Sequence, residues 1–331
     1  MRAIVLLGGS GTRLRPLTLD TPKQVLPIVE VPMIVRVLAH LERHGVSKAV
    51  LSLCYLNQAF VDLFPGNRAG GLELSYAVEP EPLDTGGAIA YAARTAGIDD
   101  DFLVVNGDVL TDLDITAMVE RHRSTGAEAT IALTKVADSS AFGLVQAAPD
   151  GRVRGFVEKP PPSEAGPGLI NAGIYLFAPS VLDRVPAGRR TSVEREVFPE
   201  LASSGRLYAF GSSAYWTDTG TPTQYLDAQL DILDGSSHLG PGARVAPGAK
   251  VMQSVIGAGA RVREGATIEE SVLLPGAVVG DGASVERSIL GRGAIVGDGC
   301  RLSDLTVLGT GVEIAPGRTL VGARVPDQAV A

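Results

Sequence analysis

The stretch Gly8-Gly9-Ser10-Gly11-Thr12-Arg13 follows an apolar run at 3–7 and precedes Pro22-Lys23. Glycines carry no Cβ, so successive backbone N–H groups can turn toward one point, which suits a phosphate chain. Arg13, Arg15 and Lys23 add positive charge beside it. The spacing fits neither common nucleotide motif. Leu14 stands where the third glycine of G-x-G-x-x-G belongs, and no Gly-Lys-Ser/Thr follows as a P-loop requires. An ordinary strand-to-helix turn has the same glycine content, so the loop alone leaves both readings open.

Two acids stand in loops after apolar runs, Asp108 in Val104-Val105-Asn106-Gly107-Asp108 and Asp218 in Trp216-Thr217-Asp218-Thr219-Gly220. Such carboxylates can hold Mg2+, a hard cation that takes oxygen ligands and substrate phosphates, or can simply form turns and caps. Glu158-Lys159 ends an apolar run before prolines and reads either as a phosphate and hydroxyl binder or as an exposed ion pair. Asn171-Ala172-Gly173 sets an amide beside a residue that permits close approach. In Glu79-Pro80-Glu81-Pro82-Leu83-Asp84-Thr85-Gly86, Glu79 or Asp84 could accept the adjacent N1–H and N2–H2 donors of guanine, and thymine's single imide donor could equally use a carbonyl here.

The elements that must position these residues follow from periodicity. Strands are expected at 3–7, 48–53, 72–78, 101–105, 129–135, 143–146, 153–158, 170–177 and 207–210. Helices are expected at 33–44, 59–64, 88–96, 115–125, 180–184, 194–204 and 221–233. This alternation implies a mostly parallel sheet covered on both faces, with ligands at the carboxyl ends of its strands. The strand-rich stretch 129–177 reads as an inserted lobe.

Past residue 238 the helical signals stop. Hexapeptides led by an aliphatic residue take over, among them IGAGAR, VGDGAS, LGRGAI and VGDGCR. Coils 251–267, 268–284 and 285–301 span 17 residues each and coil 302–319 spans 18, so the shorter coils lack one residue at a corner. The repeat marks a parallel β-helix whose coils bury aliphatic residues only by stacking.

The string LLGGSGTRLRPLT with its following Pro-Lys resembles the signature of the sugar-nucleotide pyrophosphorylases, nucleotidyltransferases that join a sugar 1-phosphate to an NTP. The resemblance runs over residues 1 to about 325. It implies a Rossmann-like, mostly parallel α/β nucleotidyltransferase domain at 1–235 and a left-handed parallel β-helix of hexapeptide repeats at 236–331. In that family the counterparts of Leu6, Gly8, Gly9, Gly11, Thr12, Arg13, Lys23, Glu79, Pro82, Asp84, Thr85, Gly86, Gly107 and Asp108 hold the nucleotide. Those of Gly143, Glu158, Lys159, Asn171, Tyr175 and Trp216 line the sugar phosphate site, and those of Asp108 and Asp218 bind Mg2+. Arg13, Lys23 and Lys159 are the implied catalytic cations. The 79–88 and 191–199 strings resemble the guanylyltransferase branch, which implies GTP and mannose 1-phosphate as substrates and GDP-mannose as product. Lys23-Gln24-Val25-Leu26-Pro27-Ile28 looks more like the thymidylyltransferases, and Asp84 stands where the family has glycine.

Net charge is −8, which argues against an extended nucleic-acid surface, and no apolar run reaches the length of a membrane span. The N-terminal apolar run is too short for a signal peptide. Cys54 and Cys300 fit a reducing cytoplasm better than a disulfide framework. Three rivals stand beside the guanylyltransferase reading. A regulatory paralogue would have lost a charged residue, yet Arg13, Lys23, Asp108, Lys159 and Asp218 are all present. A solenoid acyltransferase needs a coil histidine, and of the four only His238 touches the repeat. A pyrophosphorylase for dTTP or UTP with glucose 1-phosphate, or for GTP with another sugar phosphate, differs only in the pocket. The exposed end coil implies a homo-oligomer, dimer or higher, to which the β-helix contributes. Nothing assigned to chemistry lies beyond Asp218, so removal of the chain from about 234 is expected to spare GTP and Mg2+ binding.

Overall fold

The computed structural model describes residues 1–9, 11–54, 58–161 and 163–326. The chain packs as two compact units, one of Met1–Gly9 with Ile34–Trp216 and one of Ser10–Met33 with Thr217–Ala331.

The first unit is built on one sheet. Its parallel half contains β1 (Arg2–Leu6), β2 (Lys48–Leu53), β3 (Leu72–Val78) and β4 (Phe102–Asn106). β1 lies between β2 and β4, and β3 flanks β2 with a short edge strand at Arg68–Ala69 beyond it. β1, β2 and β4 are largely apolar on both faces, as in a parallel sheet covered on both sides, whereas β3 alternates, with Glu73 and Ser75 exposed. Asp114 caps helix Ile115–Thr125 by accepting from Ala117 N–H at 2.9 Å, and Gly126 at φ 62° ends it.

β5 (Ala129–Val136), β6 (Gly143–Ala147), β7 (Val153–Glu158), β8 (Gly168–Phe177) and β9 (Leu207–Gly211) continue the same sheet. The expected lobe at 129–177 is therefore an antiparallel extension and not a separate sheet. β8 pairs with β4 through Ile174–Phe177, with β6 at Ile170, and with β5 along its length. Under it lies an aromatic core. Tyr175 and Phe177 stack at 5.7 Å, and Phe198 meets their edges at 5.1 and 6.2 Å.

The structure corrects some expected boundaries. The helix expected at 88–96 begins at Asp84, one turn earlier, because Gly86 and Gly87 pack under the 189–193 backbone. The helix expected at 194–204 is a wide turn, Val193–Val197, followed by Phe198–Ser203. Pro199 has no N–H to continue the ladder across that junction. The strand pair Pro27–Ile28 and Val31–Pro32 was beyond reach of pattern, since two residues show no alternation.

In the second unit, residues 238–325 form three parallel sheets with a strand of each in successive coils, the architecture of a hexapeptide β-helix. Ile256, Leu273, Leu290 and Leu308 stack as one buried column, and Ala266, Ala283 and Cys300 as another. Register places Val255 on Val272, Val272 on Ile289 and Ile289 on Val307. The short corner turns on a single left-handed residue, Gln253, Glu270 or Arg287, whereas the long coil uses two, Asp304 and Leu305. The residue missing from the shorter coils is thus missing at this corner.

A hydroxyl ladder closes the corner. Ser271 N–H donates to Ser254 Oγ and Ser288 N–H to Ser271 Oγ, each at 3.0 Å, and each hydroxyl donates back within its own coil. These serines are fully buried, so each hydrogen bond lacks a water substitute. Ser271→Ala should cost about 1–3 kcal/mol by leaving Ser288 N–H without its acceptor. Equilibrium urea denaturation would read this as a lower midpoint at unchanged slope; an unmoved midpoint would show that the ladder is dispensable.

Candidate active site

Parallel pairing in register puts partner side chains on one face of the sheet. Ala77, Ser52, Leu6 and Asn106 form one such row across β3, β2, β1 and β4. Two residues further, at the carboxyl ends, Glu79, Cys54, Gly8 and Asp108 occupy the next positions. Both rows, Ala77 apart, line a cavity of about 440 Å3, a size suited to a small ligand. Gly9, Pro82, Asp84 and Thr85 also line it, as the sequence expected. Ser52, Cys54, Ala88, Asn106 and Arg190 were not foreseen. Strand register brings Ser52, Cys54 and Asn106 there, and the helix Asp84–Thr95 brings Ala88.

Glycines behind the cavity set the backbone. A Cβ at Gly107 would press on the Leu7 side chain and lie 3.1 Å from Leu6 O, so glycine favours the close approach of this turn to β1 just before Asp108. Gly86, expected against the nucleotide, lies behind the cavity with its N–H donating to Thr191 O at 2.8 Å. Glu79 is 5% exposed and accepts from Leu83 N–H at 2.8 Å. Burial pushes its carboxyl up and Leu83 N–H pulls the other way.

Asp84, one of the two carboxylates open to a base, already has local partners. It sits at φ 60°, accepts from Thr85 N–H at 2.8 Å and pairs with Arg195 at 2.8 Å. Thr85 donates to Glu194 at 2.6 Å while accepting from Val193 N–H at 3.0 Å.

The expected sugar-side residues gather around a bulge in β8, where register shifts between Asn171 and Tyr175. Asn171 Oδ1 accepts from Gly173 N–H at 2.8 Å and its Nδ2 donates to Tyr175 Oη at 2.9 Å. Gly173, at φ 73°, leaves room for Asn106, whose Nδ2 would stand 2.6 Å from a Cβ there. Asn106 therefore joins the cavity to the bulge. Trp216 donates from Nε1 to Ala172 O at 2.8 Å and meets Phe142 edge-on at 5.6 Å. Tyr175 is a correction to the sequence reading. Its ring is 1% exposed in the aromatic core, so it supports Asn171 from behind.

Gly143 pairs with Glu158 across β6 and β7, and a Cβ there would lie 3.0 Å from Glu158 Oε2. Lys159 follows at φ 50°, its N–H donating to Phe142 O at 3.0 Å and its side chain exposed. Burial and then the charge of Glu194 push the Glu158 carboxyl up, against Lys159 and Arg195.

Gly11, Thr12, Arg13, Lys23 and Asp218 belong to the second unit. Gly11 O accepts from Thr18 Oγ1 at 2.7 Å, and a Cβ at Gly11 would lie 3.3 Å from that of Lys23. Arg13 Nη2 and Asp218 Oδ1 each stand 2.8 Å from the Cβ position of Gly220. Bare glycine thus gives an expected catalytic cation and an expected metal ligand one shared space.

The Nucleotidyl transferase family matches residues 2–235 and the GMPPB C-terminal domain matches residues 233–330. A mannose-1-phosphate guanylyltransferase of Mycobacterium tuberculosis is 39% identical over 270 residues, covering 77% of this chain and 74% of that protein. A mannose-1-phosphate guanylyltransferase catalytic subunit beta of Xenopus tropicalis is 35% identical over 268 residues, 77% of this chain and 74% of its own. Among solved structures, HddC from Yersinia pseudotuberculosis complexed with GMP-PN is 30% identical at TM-score 0.60, over 70% of this chain and 99% of that one.

The raised Glu158 carboxyl gives a pH expectation. Its neutral form favours the fold below the ordinary glutamate range, and that contribution is lost as pH rises through the folded value. Glu194→Gln removes the like charge, so Glu158 should titrate lower and the loss above that range should shrink. Carboxyl-carbon NMR titration of both proteins checks this; an unmoved Glu158 midpoint would break the link.

Proposed function

This chain belongs to the nucleotidyl transferase family, and we propose that it joins GTP to mannose 1-phosphate, giving GDP-mannose and pyrophosphate. We take its catalytic domain as 1–235 and its β-helix as 236–331. The observation that carries the reading is the carboxyl-end cavity. A buried carboxylate, Glu79, stands in the same row of positions as Asp108, with Gly8 between them. Guanine's adjacent N1–H and N2–H2 suit that carboxylate. The relatives' names support the same base and sugar.

In the transfer, an oxygen of the sugar phosphate attacks the α-phosphorus of GTP. The new P–O bond forms as the α–β anhydride breaks, and pyrophosphate leaves. A phosphate monoester is already largely dianionic near neutral pH, so no general base is needed. The work is positioning and charge neutralisation. Lys159 would hold the attacking phosphate, with Glu158, Asn171 and the surface over Gly143 facing the sugar. Arg13 and Lys23 would neutralise charge on the leaving pyrophosphate.

A divalent cation fits the donors this chain offers. Asp108 and Asp218 are hard oxygen ligands, and no group of three or more His, Cys, Asp or Glu that could hold a metal occurs among the described residues. Two carboxylates completed by phosphate oxygens and water match the habit of Mg2+, which when bound supplies charge to the triphosphate. Among the described residues no helix is long and apolar enough to cross a membrane.

Pyrophosphate release measured for five NTPs against a panel of sugar 1-phosphates tests the substrate pair; preference for dTTP or UTP would overturn it. Arg13→Ala and Lys23→Ala should each lower kcat about 100-fold or more. Lys159→Ala should raise KM for mannose 1-phosphate well beyond any change for GTP. Equal shifts in both would remove Lys159 from the sugar site.

Glu79→Gln should weaken GTP binding about 10–100-fold, because the amide offers one neutral acceptor and a donor where the carboxylate offers two charged acceptors. ITP lacks the N2 donors and should lose less, so the GTP preference over ITP should shrink. Calorimetric titration of both nucleotides decides this, and an unchanged ratio would move base reading elsewhere.

A further inference from the structure

The segment that carries Arg13 and Lys23 is fastened to residues far along the chain, all within the second unit. Its strand pair turns on Val29 and Glu30, two successive residues in left-handed conformation, at φ 44° and 71°. Neither is glycine, so the turn persists only because its surroundings hold it. Helix Pro222–Leu233 supplies the first hold. Gln229, fully buried, donates from Nε2 to Pro27 O at 2.8 Å and accepts from Val29 N–H at 2.7 Å. Tyr225 Oη donates to the same carbonyl at 2.5 Å. One carboxamide thus holds both sides of the turn's first arm, much as a neighbouring strand would.

The β-helix supplies the second hold. Glu30 Oε1 accepts from Ala258 N–H at 3.0 Å. Gly240 has no side chain where that bond is made; a Cβ there would lie 2.7 Å from Ala258 N and 2.9 Å from both Glu30 Cδ and Oε1, crowding donor and acceptor together. Farther along, a Cβ at Gly309 would lie 3.2 Å from Pro16 Cβ, and Arg324 Nη1 donates to Arg13 O at 3.3 Å. The contacts therefore come from early and late coils, and they meet the segment on both sides of Lys23.

We propose that the β-helix positions the Arg13–Lys23 segment, with Glu30 as its principal positioning residue acting through the Val29–Glu30 turn. Removal of the chain from about 234 would strip Ala258, Gly309 and Arg324 from this segment, so on this proposal truncation lowers turnover even where binding of GTP and Mg2+ is spared. The inference rests on the transfer reading only for what Arg13 and Lys23 do once placed.

Gly240→Ala should expel the Glu30 carboxylate without touching any residue assigned to substrate. In the full chain, hydrogen exchange of amides in 11–33 should speed up about 10-fold or more, as should that of Ala258, which loses its acceptor, while amides in 275–320 stay unchanged. Turnover should fall about 10-fold in kcat while the Kd for GTP stays within about 3-fold, the signature of a group misplaced for the transition state. Glu30→Ala should behave alike, and Glu30→Gln, which keeps an acceptor for Ala258 N–H, should restore most of both effects. Unchanged exchange in 11–33 for Gly240→Ala and Glu30→Ala would overturn the proposal. So would a kcat loss that Glu30→Gln fails to restore, or one that merely tracks a lower folded fraction. The exchange readout needs no substrate. If the wild-type chain instead prefers another nucleotide and sugar, the transfer reading fails alone, and kcat is read with that pair.

Discussion

Register across β3, β2, β1 and β4 is the constraint on which the rest depends. Leu6 pairs with Ser52 on one side and Asn106 on the other, so three loops leave the sheet at one level. Had β2 slipped by one residue, Ser52 and Cys54 would face the opposite side and Glu79 would have no row to share. Leu7 N–H to Ser52 O and Gly107 N–H to Leu6 O, each 2.9 Å, extend the ladder just beyond the strands. Those two bonds hold the Gly8 and Asp108 loops against the sheet, and burial of Ile4, Val50 and Val104 beneath them fixes the register. Hydrophobic packing of the core thereby becomes precision at the cavity.

The second half of the site solves a different problem. The proposed sugar pocket needs polar groups on a strand that is otherwise core, and β8 can meet this by bulging between Ile170 and Ile174, both buried. Inside the bulge every polar group named has a partner of known chemistry: Asn171 with Gly173 and Tyr175, Ala172 with Trp216. A buried polar group left alone costs about 1–3 kcal/mol, so this closure is what allows irregular backbone at that depth. Tyr175 shows the division plainly. Its ring anchors the aromatic core while its hydroxyl orients the amide that can face a ligand.

Much of this was legible in the sequence because its signals are local. Apolar runs of five to seven residues gave β2, β3 and β7 their observed bounds, and the hexapeptide period gave the coils with their one longer member. What escaped depends on long-range register. Ser254, Ser271 and Ser288 are unremarkable in sequence until stacking at a 17-residue interval joins them. Glu30 carries no motif, and its partner lies 228 positions away. The family resemblance alone put Tyr175 at the sugar site, and no local pattern shows that the bulge in β8 leaves its ring in the core. Asn106 was read only as part of the acidic turn, since nothing local announces its approach to Gly173.

Asp84 shows how one substitution can redistribute roles. Its φ of 60° is a conformation glycine adopts at no steric cost, which accounts for the glycine the family resemblance leads one to expect there. Aspartate is among the few side chains that tolerate this region, because a short acceptor can bond its own local backbone. Here Asp84 Oδ1 takes Thr85 N–H and Oδ2 takes Arg195. Both carboxylate oxygens are thus engaged in holding the start of the helix that follows and the Val193–Val197 turn near it. A carboxylate committed in this way is a poor reader of a nucleobase, since each new bond would compete with one that holds the backbone. Glu79 is bound by a single backbone N–H and enclosed by apolar neighbours, where a pair of donors from guanine would repay burial of its charge. The geometry of position 84 therefore leaves Glu79 as the carboxylate better placed for the proposed guanine, although the two line the same cavity.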